Sequence, residues 1–181
     1  MTALVEGFDL GRTEWAVKYG NILDEPADIL ICSGNVSLNL SGGVGADLLQ
    51  RYGTKMQTAL HRILASRTPR AAIRGEVIDY VDEALPYKAI LHAVAIDGWY
   101  QSSPTIITEI VRLAFERAKA FGGGKVALTA LATGFGNLSL GEFADGVRPL
   151  LAMDFDPVKE VCLCLVEDYR ANELVKHLRT A

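Results

Sequence analysis

Apolar and polar positions along the chain fall into short blocks with the periods of strands and helices. Residues 4–8 and 14–19 read as two strands separated by a turn that contains Gly11, the arrangement of a hairpin. Residues 27–33 (ADILICS) form a continuous apolar run, as expected of a strand covered on both faces, and lead into a polar, glycine-rich segment at 34–43. Val44, Leu48 and Leu49 then recur at helical spacing over 44–52, and residues 56–65 continue as a second helical stretch that a loop carrying Pro69 ends. Two further strands are predicted at 75–81 (GEVIDYV) and 88–96 (KAILHAVAI), with Leu85 and Pro86 in the turn between them. The clearest helix covers 105–121, where Ile106, Ile107, Ile110, Val111, Leu113, Ala114 and Ala118 make the apolar stripe. Ser103 can cap its start, Pro104 suits its first position and Gly122 can end it. A strand at 125–131 leads into a second glycine-rich loop at 132–139. A helix at 140–153, which Pro149 should kink or break, a strand at 159–167 and a helix at 169–179 complete the pattern.

Strands alternating with helices, at connections too long for hairpins, predict an α/β fold with a mixed, mostly parallel central sheet and helices on both faces. The 181 residues fit one domain, expected over 1–181.

Charge narrows the partners. Eighteen Lys and Arg against 22 Asp and Glu leave a formal net charge of −4, which provides no overall field for nucleic acid or anionic lipid. The N-terminal stretch is charged early and lacks the apolar core of a secretion signal, and no apolar run approaches the ~20 residues of a membrane span, so a soluble cytoplasmic protein is expected. Cys32, Cys162 and Cys164 are an odd number, the last two on one face of a strand; they read as buried thiols, with no metal site.

Two loops are candidates for chemistry. Residues 33–45 (SGNVSLNLSGGVG) and 132–139 (ATGFGNLS) each run from a buried strand to a helix start, where exposed backbone N–H groups and the helix dipole favour an anion. Neither matches G-x-G-x-x-G, and G-x-x-x-x-G-K-[ST] is absent, so no nicotinamide cofactor or P-loop nucleotide is indicated. Gly122-Gly123-Gly124-Lys125 joins a helix end to a strand start and reads as a plain connection. His92 lies in mid-strand as a core histidine or a catalytic base; Asp97 caps a turn or orients a water; Trp99 and Tyr100 line a pocket mouth or cover the core edge.

In order along the chain, residues 20–22 (GNI), 27–35 (ADILICSGN), 41–44 (SGGV), 75–77 (GEV), 88–94 (KAILHAV) and 131–138 (LATGFGNL) resemble the signatures of the macro domain family. The resemblance implies a three-layer α/β/α fold that binds ADP-ribose or a derivative. The alternative it implies is hydrolysis of an ADP-ribosyl ester or O-acetyl-ADP-ribose in the same pocket, with no cofactor and no metal. Carried over residue by residue, Asn21 stands where the family has an aspartate on the adenine amino group, Ile22 packs on the base, and Asn35 reaches the distal ribose and is the catalytic candidate. Gly42, Gly43 and Val44 match the first phosphate loop, and Thr133, Gly134, Phe135, Gly136 and Asn137 the second. For Asn21 and Asn35 the alternative is plain turn chemistry, since Asn hydrogen-bonds its own backbone.

Besides Asn21, three features depart from the family pattern. Gly45 replaces the aspartate of the hydrolase motif, and the nearest carboxylate, Asp47, stands about 200° round a helix from it. The second loop has one residue between its glycines, and Val166 replaces the aromatic that stacks on adenine. Because no Lys or Arg lies between Lys18 and Arg51 or between Lys125 and Arg148, a diphosphate here is expected to be held by backbone N–H groups rather than by side-chain cations.

Overall fold

The computed structural model describes residues 1–180. Its sheet contains β1 (Ala3–Phe8), β2 (Glu14–Tyr19), β3 (Ile29–Gly34), β4 (Val77–Tyr80), β5 (Ala89–Val94), β6 (Lys125–Thr129) and β7 (Glu160–Leu165). They are ordered β1-β2-β7-β6-β3-β5-β4. The inner strands β2, β7, β6, β3 and β5 run parallel, and the edge strands β1 and β4 pair antiparallel with their neighbours. The helices are α1 (Val44–Tyr52), α2 (Lys55–Ala65), α3 (Pro104–Ala120), α4 (Leu140–Val147) and α5 (Asp168–Arg179).

The two-residue period of a strand divides the core. Along β3, Ile29 and Ile31 join Ile110 and Phe115 of α3, Phe143 of α4 and Leu174 of α5 on one face of the sheet. Leu30 and Cys32 join Leu48 of α1 and Met56 and Leu60 of α2 on the other. Both faces are covered, which is the three-layer α/β/α arrangement. Each fully buried Leu, Ile or Phe contributes about 1.5–3 kcal/mol, so the layers hold through many such contacts.

Element ends differ from the sequence reading where a side chain intervenes. β3 starts at Ile29, and just before it Asp28 Oδ2 accepts the N–H groups of Gly124 (2.8 Å) and Lys125 (2.9 Å). The expected helix at 140–153 stops at Val147, and Pro149, which lacks an N–H, sits in a 3-10 turn at Arg148–Leu150. β7 ends at Leu165, so Val166 lies beyond the strand rather than on it and is 66% exposed. Ser103 caps α3 as expected, accepting from Ile106 N–H. Among the described residues, no helix is long and apolar enough to cross a membrane, and no group of three or more His, Cys, Asp or Glu is placed to hold a metal ion.

Candidate functional site

A cavity of about 520 Å³ lies at the carboxyl ends of β3, β6 and β7, between the loops that follow β3 and β6. Parallel sheets leave a crevice at this place, and the volume falls in the range of about 300–1,000 Å³ usual for small-ligand sites.

The first loop is organised by two amides. Asn35 Oδ1 accepts the N–H groups of Ser37 (3.0 Å) and Asn39 (3.2 Å) while its Nδ2 donates to Asn39 O (2.9 Å). From α2, Gln57 Oε1 accepts Leu40 N–H (2.7 Å) and Gln57 Nε2 donates to Leu38 O (2.8 Å). The clamp holds residues 38–40 against the start of α1. It leaves so little room that a Cβ on Gly45 would stand 2.9 Å from Leu40 Cα.

The second loop is tied at both ends. Leu138 N–H donates to Ala132 O (3.2 Å), and Thr133 Oγ1 to Ala130 O (2.8 Å). Asn137 N–H donates to Tyr100 O (3.1 Å) and Asn137 Oδ1 accepts Ser102 N–H (2.7 Å), fastening the loop to the segment after β5. That segment is itself built on Asp97, whose Oδ1 accepts Trp99 and Gln101 N–H and whose Oδ2 pairs with Arg74 at 2.9 Å. These backbone bonds hold the Asp97 carboxyl below its ordinary pKa.

Three features mark the cavity. Leu38 (φ 49°), Tyr100 (φ 62°) and Ala132 (φ 60°) are the non-glycine residues in the left-handed region among those described, and all three line it. Such strain costs of order 1–3 kcal/mol per residue and gathers at functional sites. The backbone N–H groups of Gly42, Gly43 and Val44 in the first loop, and of Gly134, Phe135 and Gly136 in the second, donate to no acceptor among the described residues. The Phe135 ring lies against Gly42 so closely that a Cβ there would run into it, so the two loops meet through this contact.

Asn35, Gly42, Gly43, Val44, Thr133, Gly134, Phe135, Gly136 and Val166 all line the cavity. Asn21, Ile22 and Asn137 do not: Asn21 Oδ1 caps the 3-10 turn Ile22–Asp24 by accepting Leu23 N–H (2.9 Å), Ile22 is buried in the core under α1, and Asn137 makes the strap just described. The turn-chemistry alternative is the role the Asn21 side chain plays here, and the Asn35 amide likewise bonds within its own loop, although Asn35 lines the cavity.

Sequence reasoning missed several lining residues. Asp47 reaches the cavity from α1 although it stands on a different side of that helix from Gly45. Arg170 and Glu167 come from the α5 region, and Arg170 Nη2 donates to Thr133 O (3.3 Å). Neither loop stretch carries a cation, but α5 docks beside the second loop and brings an arginine to it, a placement that spacing within the loops does not encode. His92 and Thr129 line the cavity from β5 and β6. Burial holds the Cys32 thiol up at about 12, with its Sγ 3.3 Å from His92 Nδ1, and burial lowers His92 to about 4, so the imidazole is neutral at ordinary pH.

Residues 32–146 match the family model of the Macro domain, which is more than half of the chain. Among solved structures, the Oceanobacillus iheyensis macrodomain with ADP superposes with a TM-score of 0.85 at 19% identity, covering 99% of this chain and 96% of that one. The Trypanosoma brucei macrodomain in complex with ADP gives 0.73 at 18% identity, over 92% of this chain and 69% of that one. The macro domain of ganglioside induced differentiation associated protein 2 gives 0.72 at 14%, over 91% and 83%. No curated protein sequence matches the chain. The family match spans the strand before the first loop through α4, and with it both glycine-rich loops: the chain belongs to the macro domain family.

Proposed function

We propose that the protein binds ADP-ribose or a related ADP-ribose derivative in this cavity, with the diphosphate between the two loops. The observation that carries the reading is the set of six unpaired N–H groups, on Gly42 to Val44 and Gly134 to Gly136, around one cavity beside the start of α1. Such groups hold phosphate oxygens without a desolvated counter-charge, and the helix dipole adds to them. Arg170 supplies one cation beside the second loop. The solved macrodomains with bound ADP support the ligand class. The acidic balance argues against general nucleic-acid binding, and three buried free thiols suit the reducing cytoplasm. Calorimetric titration with ADP-ribose should give saturable heat; no heat, and no thermal shift at millimolar ligand, would sink the reading.

A hydrolase is the second reading. Asp47 and Glu167 line the same cavity with no side-chain hydrogen bond among the described residues, so a proton acceptor stands within it although Gly45 supplies none. Water held by Asn35 and loop backbone would add to the ester carbonyl, its proton passing to a carboxylate, and the products would be free ADP-ribose and a carboxylic acid. Incubation with O-acetyl-ADP-ribose and a mono-ADP-ribosylated protein decides between binding and turnover. Turnover that Asn35→Ala leaves unchanged would contradict this site.

A further inference from the structure

Cations are unevenly spread along the chain. No Asp or Glu lies between Asp47 and Glu76, while Arg51, Lys55, Arg62, Arg67, Arg70 and Arg74 all fall there, in a chain whose net charge is −4. Four of them are paired with carboxylates outside the stretch: Arg51 with Asp24, Lys55 with Asp82, Arg67 with Glu76 and Arg74 with Asp97. Arg62 and Arg70 have no such partner among the described residues.

Arg70 lines a second cavity, of about 310 Å³, with Ser37, Asn39, His61, Leu64 and Ala65. This cavity lies between the first loop and the end of α2, and the segment that follows α2 is pinned there because Ala72 N–H donates to Val36 O (2.7 Å). Asn39 lines the main cavity as well, so the first loop is the wall between the two. The end of α2 does not account for the arginine. Ser66 Oγ donates to Ile63 O (2.8 Å) and Arg67 N–H to Leu64 O (3.0 Å), so these carbonyls are capped without it.

The free polar groups of this second cavity are donors. His61 Nε2 lies 2.8 Å from Asn39 Oδ1; an amide oxygen only accepts, so the ring nitrogen donates and Asn39 Nδ2 keeps both of its N–H groups. Asn39 Nδ2, the Ser37 hydroxyl and the Arg70 guanidinium have no hydrogen-bond partner among the described residues, and no carboxylate lines the cavity. A fixed positive charge among unpaired donors repels cations and selects an anion rich in acceptors. The guanidinium fork matches two oxygens of one phosphate, and the amide and hydroxyl supply donors for the others. Leu64 and Ala65 offer an apolar seat to the organic part of an ester.

We infer that Ser37, Asn39 and Arg70 form a second anion site, on the outer side of the first loop, that takes a phosphate group. It stands apart from the glycine-rich loops, and the inference does not depend on the ligand of the main cavity.

Amide NMR shifts of the whole protein, followed during titration with inorganic phosphate and with phenyl phosphate, test it residue by residue. The amides of Ser37, Asn39 and Arg70 should move and saturate. Arg70→Gln should weaken this binding about 5- to 10-fold, between the worth of an exposed ion pair and that of a charge-assisted hydrogen bond. Its Tm should stay at the wild-type value, because the side chain is exposed. Arg62→Gln removes the other unpaired cation, which does not line the cavity, and should bind as wild type does. Tighter binding of phenyl phosphate assigns the site to phosphate esters; equal or weaker binding assigns it to the free ion. Arg70→Gln that binds as tightly as wild type overturns the inference. So does an equal loss in Arg62→Gln, which would mean a diffuse field rather than a site. Phosphate that moves only the amides of Gly42 to Val44 and Gly134 to Gly136 overturns it as well, since the anion would then enter the main cavity alone.

Discussion

Leu40 Cα lies 2.9 Å, and Leu40 C 3.2 Å, from the point that a Cβ on Gly45 would occupy. The chain's own backbone fills the space where a side chain at position 45 would begin, and Gln57 holds that backbone in place. A carboxylate there is excluded by packing. Gly45→Ala gains up to about 1 kcal/mol of helix propensity but pays about 1–3 kcal/mol of overpacking, so the net expectation is a lower urea midpoint. Gly45→Asp should lose stability and gain no hydrolytic turnover; an aspartate variant as stable as wild type would contradict this account.

Gln57 acts at a distance from the cavity wall it shapes. Gln57→Leu keeps the side-chain volume and leaves Leu40 N–H and Leu38 O without partners, at a cost of about 1–3 kcal/mol each where no water replaces them. Equilibrium unfolding should show the loss, and ADP-ribose affinity should fall with it because Leu38 can leave its left-handed conformation. An unchanged unfolding midpoint would mean that the clamp is dispensable.

Phe135 is 73% exposed, so its removal should barely touch the fold. Phe135→Ala is expected to change stability by less than about 0.5 kcal/mol, as surface substitutions do. It should still weaken ligand binding through faster dissociation, since the loops lose their mutual contact. Gly42→Val, which drives a side chain into the same ring, should weaken binding more. Surface plasmon resonance separates the rates; equal dissociation rates for wild type and Phe135→Ala would exclude a role for the contact.

His92 makes stability depend on pH. Its pKa is about 4 folded against 6.5 unfolded, so between these values the unfolded chain binds more protons, and stability falls as pH drops from about 6.5 to about 4. The buried ring makes this loss of the order of 3 kcal/mol at most. Unfolding midpoints measured from pH 7.5 to 4 should decline in that window for wild type, and His92→Gln should remove that part of the decline. A wild-type curve flat down to pH 4.5 would mean that the ring is solvated.

Much of the layered fold was legible because its signals are local. A continuous apolar run such as 29–32 demands cover on both faces, and Ser103, Pro104 and Gly122 bound α3 by their own backbone chemistry. The two loops were legible for the same reason, since each is one uninterrupted segment between a strand and a helix. Asn21 was ambiguous because the same amide oxygen suits a ligand or a turn, and the Leu23 N–H two residues away takes it.

The sequence by itself determined the alternation of strands and helices, the family signatures and the glycine-rich segments, all of which depend on neighbours within a few residues. Only the tertiary structure decided which side chains share the cavity. Arg170 reaches Thr133 because α5 docks beside the second loop, Leu40 closes position 45 because α2 reaches back through Gln57, and His92 and Thr129 line one cavity although their strands lie on opposite sides of β3. These contacts join residues from different elements, and packing sets them where local periodicity carries no record of the distance.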